Sequence, residues 1–413
     1  MSSTTSILQA RFVAPMDQPI IADGAVLVQS GVIVAIGTAR EILDSHRDPE
    51  VINLGDAVLL PGLVNAHTHL ELSNCVAGED PGGSFSDWIL SVRARMKLNE
   101  SDPASTIIPA TQSGIDQCLK FGVTCVGDIS NFVTLTRGVL KESPLRAVSF
   151  GEVLGLGKLR SRLEERLAAA IDTSQTTNRL TIGITPHAPY TVDLEGYQKC
   201  IAAAHNHHLP LATHLAETPD ETEFLVSHQG PFRELWDKLG LWQEPVKTYH
   251  DSPLRFADAV GLLRFPSVLA HVNYCSDDEL DLLAKGRASV VYCPRTHRYF
   301  RHQPHRWREM LEREINVAIG TDSCASSPDL NLVDDLRLMH RNVPEFPCER
   351  LWQLATVGGA RALGLDHQIG TITAGKHADL AAFQVNEDQP LREVLEGDKT
   401  PIAVWCDGEL VSR

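Results

Sequence analysis

The stretch VLLPGLVNAHTH, residues 58–69, decides the fold. An apolar run broken only by Pro61-Gly62 ends in two histidines with one residue between them. Residues two apart in a strand point the same way, so the His67 and His69 imidazoles face one side. Seven further short apolar runs follow: GVTCVGDIS (122–130), RAVSFGEVLG (146–155), LTIGITPHA (180–188), LPLATHLAE (209–217), SVLAHVNYC (267–275), ASVVYCPRT (288–296) and NVAIGTDS (316–323). Longer amphipathic stretches separate them, such as LEGYQKCIAAAHNHH (194–208) and SDDELDLLAKG (276–286). Apolar strands alternating with helical segments mean a parallel sheet buried on both faces. Eight such strands, with no GxGxxG after the first, favour a closed (β/α)₈ TIM barrel over an open dinucleotide-binding sheet.

The two ends differ from this middle. AVLVQSGVIVAIG (25–37) alternates around a Ser-Gly turn, a hairpin signal. GTITAGKHADLAAFQV (370–385) and PIAVWCDGELV (401–411) are again strand-like pieces broken by Gly and Asp-Gly. A small β domain assembled from both termini is expected, with parts at 1–60 and 365–413 flanking a barrel at 61–364.

Composition excludes several functions. Lys plus Arg is 37 and Asp plus Glu is 53, a net charge of −16, which opposes non-specific binding to nucleic acid or an anionic membrane. At 413 residues, 43% hydrophobic and 22% charged, the chain reads as an ordinary globular protein. No stretch approaches 18 uncharged apolar residues, and the N-terminus has no signal-peptide pattern. The nine cysteines are scattered with no CxxC. A reducing cytoplasm and the absence of disulfides are therefore expected.

Metal-binding residues recur at the C-terminal ends of the predicted strands, where barrel enzymes place their chemistry. His67 and His69 end the first, His214 the fifth, His271 the sixth and Asp322 the eighth. His67, His69, His214 and Asp322 suit one divalent ion, zinc first and iron second, with a position left for water. A second metal would need a bridging anion, often a modified lysine ending the fourth strand. That strand ends Thr185-Pro186-His187, and Lys158 lies in a Gly-rich loop beyond the third. Several of the 17 histidines read as surface groups, including His205, His207 and His208 on a helix and His297, His302 and His305 in a basic stretch.

The motifs PGLVNAHTHLE, PHAPYT, THLAET, LAHVNY and GTDSCAS together resemble the amidohydrolase superfamily, in its cytosine-deaminase-like branch. That branch includes adenosylhomocysteine, methylthioadenosine and aminodeoxyfutalosine deaminases and triazine hydrolases. The resemblance covers essentially the whole chain, including a β-sandwich built from both ends. It implies hydrolytic deamination of an amino-substituted aromatic heterocycle, with a 5′-modified adenosine ahead of the others. The alternatives are triazine-type hydrolysis on the same scaffold and a non-catalytic binding module. It implies Glu217 as the proton shuttle to the ring and the leaving amine, Asp322 as proton acceptor, and His271 as a polarising group outside the ligand set. Glu217 also reads as a helix-start carboxylate, since Thr218-Pro219 follows it.

His187 resembles the histidine that reaches a ribose. Glu152 fits a hydroxyl pair, Phe85 and Trp88 a flat ring, and Arg295 a substrate carboxylate. CPRTHRYF after the seventh strand is similar to a CPRSN form of aminodeoxyfutalosine deaminase-like members, with Thr296-His297 replacing Ser-Asn. The run Ser326-Ser327-Pro328-Asp329 reads as a helix start with a Ser cap. The partner is a small molecule, and the family resemblance allows a homodimer.

Overall fold

The computed structural model describes residues 5–45 and 49–413. Five strands come first: β1 (Thr5–Val13), β2 (Ile21–Gln29), β3 (Val32–Thr38), β4 (Glu50–Asn53) and β5 (Ala57–Pro61). Eight more follow, separated by helices: β6 (Leu63–Thr68), β7 (Val123–Ser130), β8 (Arg146–Val153), β9 (Leu180–Pro186), β10 (Leu211–Leu215), β11 (Ser267–His271), β12 (Ser289–Tyr292) and β13 (Val317–Ile319). The chain ends with β14 (Leu380–Gln384), β15 (Ala403–Cys406) and β16 (Glu409–Ser412). Each of the eight apolar runs contains one strand of the β6–β13 series.

Strands β6 to β13 pair in chain order, all parallel. A parallel bridge between Thr68 and Asp322 brings the last strand back to the first. Asn65 reinforces it: its Nδ2 donates to Thr321 Oγ1 at 2.7 Å, and its Oδ1 accepts from Thr321 N at 3.0 Å. This is the TIM barrel. Neighbouring strand residues bury into different clusters, as the two-residue period requires. Ala212, Val268, Val291 and Ala318 join one small cluster. Leu211, Leu269, Val290 and Ile319 join the large core shared with the helices.

The terminal strands form a second, mixed sheet of order β16-β15-β14-β5-β1-β2-β3, with β4 also paired to β1. The predicted hairpin is β2–β3, turning at Ser30-Gly31, where both residues have positive φ (50° and 80°). That is the geometry of a tight hairpin turn. Adjacent residues alternate between its faces: Leu8, Val26 and Trp405 bury into one cluster, Ile7, Leu27 and Ile42 into another. β5 and β6 are separated by Gly62 alone, so the chain passes directly from this sheet into the barrel. All nine cysteines are free, and among the described residues no helix is long and apolar enough to cross a membrane.

A buried ion cluster ties the sheet to the barrel. Arg146, opening β8, bonds Asp379 Oδ2 at 3.0 Å and Asp407 Oδ1 at 2.7 Å. Asp407 also meets Arg179 at 3.2 Å and His377 at 2.8 Å. Burial alone would raise the Asp407 carboxyl, but His377, Arg146 and Arg179 together hold it well below the usual aspartate range. A depressed folded-state pKa gives stability that is complete above the unfolded value of about 4 and fades as pH falls further. Arg146→Met strands Asp379 as a buried unpaired charge, and we expect it to cost about 3–5 kcal/mol in denaturant unfolding. The same variant should lose part of its acid-dependent destabilisation below pH 4. An unchanged unfolding midpoint would show that the cluster does not join the two sheets.

Candidate metal centre and active site

Six groups named from the sequence converge at the C-terminal end of the barrel. His67 lies in β6, and His69 stands just past its end. A register irregularity in β6 between Asn65 and Thr68 lets both rings reach the same space, 5.1 Å apart between centroids. His214 in β10 is 4.8 Å from His67, and His271 at the end of β11 is 5.3 Å from it. Asp322 Oδ1 is 3.8 Å from His67 Nε2 and 3.6 Å from His69 Nε2. Glu217 Oε1 stands 3.5 Å from His271 Nε2.

Backbone left-handed kinks aim these groups. Ala216, His271, Val272 and Asp322 have φ of 51°, 73°, 51° and 57°, a region that costs ordinary residues of order 1–3 kcal/mol each. The surrounding bonds hold them there. Asp322 N donates to His67 O at 3.1 Å, and Thr68 Oγ1 donates to Asp322 O at 2.8 Å. Val272 N donates to Leu215 O, and His305 Nε2 donates to His271 O at 2.9 Å.

The donor set fits a divalent cation. His214 Nδ1 donates to His187 O at 3.2 Å, which leaves its Nε2 as a lone pair, and that atom faces His69 Nε2 at 3.2 Å. The buried Nε2 atoms of His67 and His271 have no hydrogen-bond partner. His67, His69 and Asp322 place one ligand atom each within 4.8 Å of one another, as do His67, His214 and His271. Burial, then His214, pushes His67 far below the ordinary imidazole range, and burial with His187 takes His214 down to about 3. Neutral imidazoles are the form that binds metal. Burial lifts Asp322 to about 7, and burial followed by Asp322 and Glu221 lifts Glu217 well above its normal range. A cation at this point would relieve both carboxyls.

A cavity of about 270 Å³ opens onto this cluster. Glu217, His271 and Asp322 line it, as do His69 and His214. So do His187, Glu152, Phe85 and Trp88, four of the five groups assigned to substrate from the sequence. His187 Nδ1 pairs with Thr191 Oγ1 at 2.8 Å, and its Nε2 is 3.9 Å from Glu152 Oε2.

Glu217 does not cap a helix. The following helix begins at Asp220, and Glu221 is the carboxylate that accepts from Ala216 N (2.9 Å) and Glu217 N (2.7 Å). The Glu217 side chain is thereby left facing the cavity.

Three readings are corrected. Arg295 is 6% exposed and does not line the cavity. Its Nε bonds Asp335 at 2.9 Å, while Nη1 and Nη2 bond Asp329 at 2.7 and 2.8 Å, so its donors face two aspartates rather than a substrate. Ser326 does not start a helix; the helix begins at Leu332 behind an Asn331 cap, and Ser326 Oγ donates to Asp322 Oδ2 at 3.0 Å. His297 and His305 are not surface groups. His305 stacks on Tyr292 at 4.1 Å behind the metal cluster, and His297 Nε2 bonds Gln303 O at 2.8 Å.

One cavity carboxylate escaped the sequence reading. Glu71, two residues after His69, accepts from Asn131 N and Phe132 N at 3.2 and 3.0 Å, and burial raises it to about 7. The HTHLE string itself was the available signal.

Residues 58–411 match the model of the amidohydrolase family. The chain belongs to that family. A 5-methylthioadenosine/S-adenosylhomocysteine deaminase of Moorella thermoacetica is 28% identical over 389 residues, covering 91% of this chain and 84% of that protein. An adenosine deaminase of Helicobacter pylori is 31% identical over 365 residues, 86% of each chain. The crystal structure of Helicobacter pylori aminofutalosine deaminase with methylthio-coformycin superposes at a TM-score of 0.86, with 27% identity over 98% of this chain and all of that one.

Gly320 supplies a local test of the ligand cradle. A Cβ there would stand 2.6 Å from His67 O and 2.9 Å from His67 Cβ. Gly320→Ala should therefore displace His67 and weaken metal binding at least about tenfold in a competitive chelator titration, in line with losses seen when ligand supports are disturbed. Unchanged metal affinity in that variant would remove His67 from the ligand set.

Proposed function

We propose that this amidohydrolase is a metal-dependent deaminase that replaces the exocyclic amine of a 5′-modified adenosine with oxygen and releases ammonia. The observation that carries the reading is Glu217, 3% exposed, lining the cavity 3.5 Å from His271, with its backbone N–H bonded by Glu221. Deamination needs an acid there, because an amine leaves as a neutral molecule far more readily than as an anion. The deaminase names of the Moorella and Helicobacter relatives support the same chemistry.

In this reading His67, His69, His214 and Asp322 hold one ion, zinc by donor type, with iron the next choice. Bound there, the ion supplies the Lewis acidity that makes water nucleophilic at neutral pH. Asp322, its Oδ2 steadied by Ser326, accepts a proton from the attacking water. Glu217 delivers its proton to the ring nitrogen, then takes the second proton of the added water and passes it to the departing amine, and the proton held by Asp322 restores Glu217. His271 orients the reacting oxygen through its free Nε2. His187 and Glu152 hold the ribose hydroxyls, with Trp88 beside the flat part of the substrate.

Purified protein should release ammonia from adenosine or its 5′-thio derivatives, and stripping the metal with a chelator should abolish the activity until zinc is restored. Glu217→Gln should keep the metal while kcat falls about 10²–10⁴-fold. Chloride or alkylamine release from triazines, with no ammonia from any nucleoside, would replace the proposal with triazine hydrolysis.

A further inference from the structure

Asp322 turns its two oxygens to different neighbours. Oδ1 faces His67 Nε2 and His69 Nε2 at 3.8 and 3.6 Å, while Oδ2 takes the Ser326 hydroxyl at 3.0 Å. Ser326 Oγ is in turn 2.9 Å from Thr296 Oγ1. With the single Ser326 hydroxyl proton on Asp322, Thr296 supplies the proton of that second contact. Thr296 and Ser326 are each 2% exposed, so bulk water does not compete for either hydroxyl.

The two hydroxyls stand on separate segments, and one ion cluster ties those segments together. Thr296 follows Arg295 in the helix Pro294–Tyr299, just past β12. Ser326 lies three residues before Asp329, in the segment that leaves β13 and carries Asp322. Arg295 reaches across to Asp329 with two donors, one on its carboxylate and one on its carbonyl. Asp335 grips the same arginine from the helix Leu332–Asn342, accepting from its backbone N and its Nε, both at 2.9 Å. Asp329 Oδ1 also accepts from Asn331 N at 2.9 Å, which fixes the end of the segment. Arg295, Asp329 and Asp335 do not line the cavity.

We infer that this charged clip sets the orientation of the Asp322 carboxylate: Arg295, Asp329 and Asp335 are positioning residues that act on it through Thr296 and Ser326. The inference rests on the reading above that Asp322 helps to hold an ion. An aspartate carboxylate turns about its last bond with only a broad, twofold preference. A hydroxyl on Oδ2 removes that freedom and keeps Oδ1 turned to the histidines. The hydroxyl can do this only if its own place is fixed. Ser326 is fixed against Thr296, and the arginine fork holds the two segments that carry them. A guanidinium imposes direction on its partners as well as charge, which a lysine ammonium does not.

The test is cobalt(II) binding to the metal-stripped protein, read by chelator competition and by the visible ligand-field spectrum at saturation. Ser326→Ala and Thr296→Val should each weaken cobalt by about 10–100-fold and change the spectrum, as loss of a group behind a metal ligand does. Thr296→Ser keeps the hydroxyl and should restore both. Arg295→Lys keeps the charge but loses the fork, and Asp329→Ala removes one partner at a partly exposed position. Each should weaken cobalt at least about threefold and move the spectrum as Ser326→Ala does, yet add less than about twofold in the Ser326→Ala background. A packing role alone would lower the unfolding midpoint of the metal-free protein and leave the loaded spectrum unchanged. Unaltered affinity and spectrum in Arg295→Lys and Asp329→Ala would overturn the inference and leave the metal centre standing. Failure of the unaltered sequence to take up cobalt would overturn both.

Discussion

The seam between β6 and β13 is the constraint on which the site depends. A closed barrel must join its last strand to its first, and here the joining bonds are made by, or lie directly beside, residues of the candidate metal centre. Asp322 N donates to His67 O, Thr68 Oγ1 donates to Asp322 O, and Asn65 locks onto Thr321 in both directions. His67 and Asp322, 255 residues apart in sequence, thus share a hydrogen bond whose first purpose is closing the sheet. Loosening the seam would move His67 and Asp322 together, so barrel closure and metal geometry form one cooperative property. The absence of any side chain at Gly320 belongs to the same constraint, because the strand backbones approach too closely there for a Cβ.

The seam also fixes the electrostatics. It draws several imidazoles and two carboxyls into a volume from which water is largely excluded. Burial drives the imidazoles neutral and the carboxyls upward, so the clustered groups cannot satisfy one another. The polar network around them is spent on position rather than charge: Ser326 on Asp322, the His187 carbonyl on His214, and Glu221 on the backbone of Ala216 and Glu217. Glu221 carries the helix-start role that Glu217 would otherwise fill. Division of these tasks between two glutamates four residues apart frees one of them for the cavity.

The barrel strands, and the convergence of the histidines at their ends, were legible because each rests on a local pattern. An apolar run followed by a donor at its C-terminal end requires only the two-residue period and the polarity of a parallel barrel to interpret. Arg295 was misread because its role depends on Asp329 and Asp335, residues 34 and 40 positions away that no local pattern connects to it. Ser326 misled for a related reason: its sequence suits a helix cap, but its hydroxyl also meets Thr296 Oγ1, thirty residues back, besides the nearby Asp322 carboxylate. His305 sits in a basic stretch that looks solvent-facing, yet stacking on Tyr292 brings it beneath the His271 kink. The errors therefore fall where a side chain's partner is distant in sequence.

The same distinction separates chemistry from selectivity. The groups at the strand ends sit on backbone fixed by the ladder and the seam, so their spacing has little freedom. The helices Phe85–Met96 and Gly230–Lys238, which roof the cavity, are attached through side-chain bonds, Trp88 to Ala325, Trp236 to Tyr190 and Lys238 to Asp87, and by packing of Phe85, Phe232 and Leu235. Exchanging a roof residue changes what the cavity wall offers without passing through the closing seam. A barrel arranged this way can hold the groups at its strand ends constant while its helices vary the rest of the cavity wall, which is how one scaffold hosts many substrates. The apolar roof over the polar strand ends is the physical record of that separation in this chain.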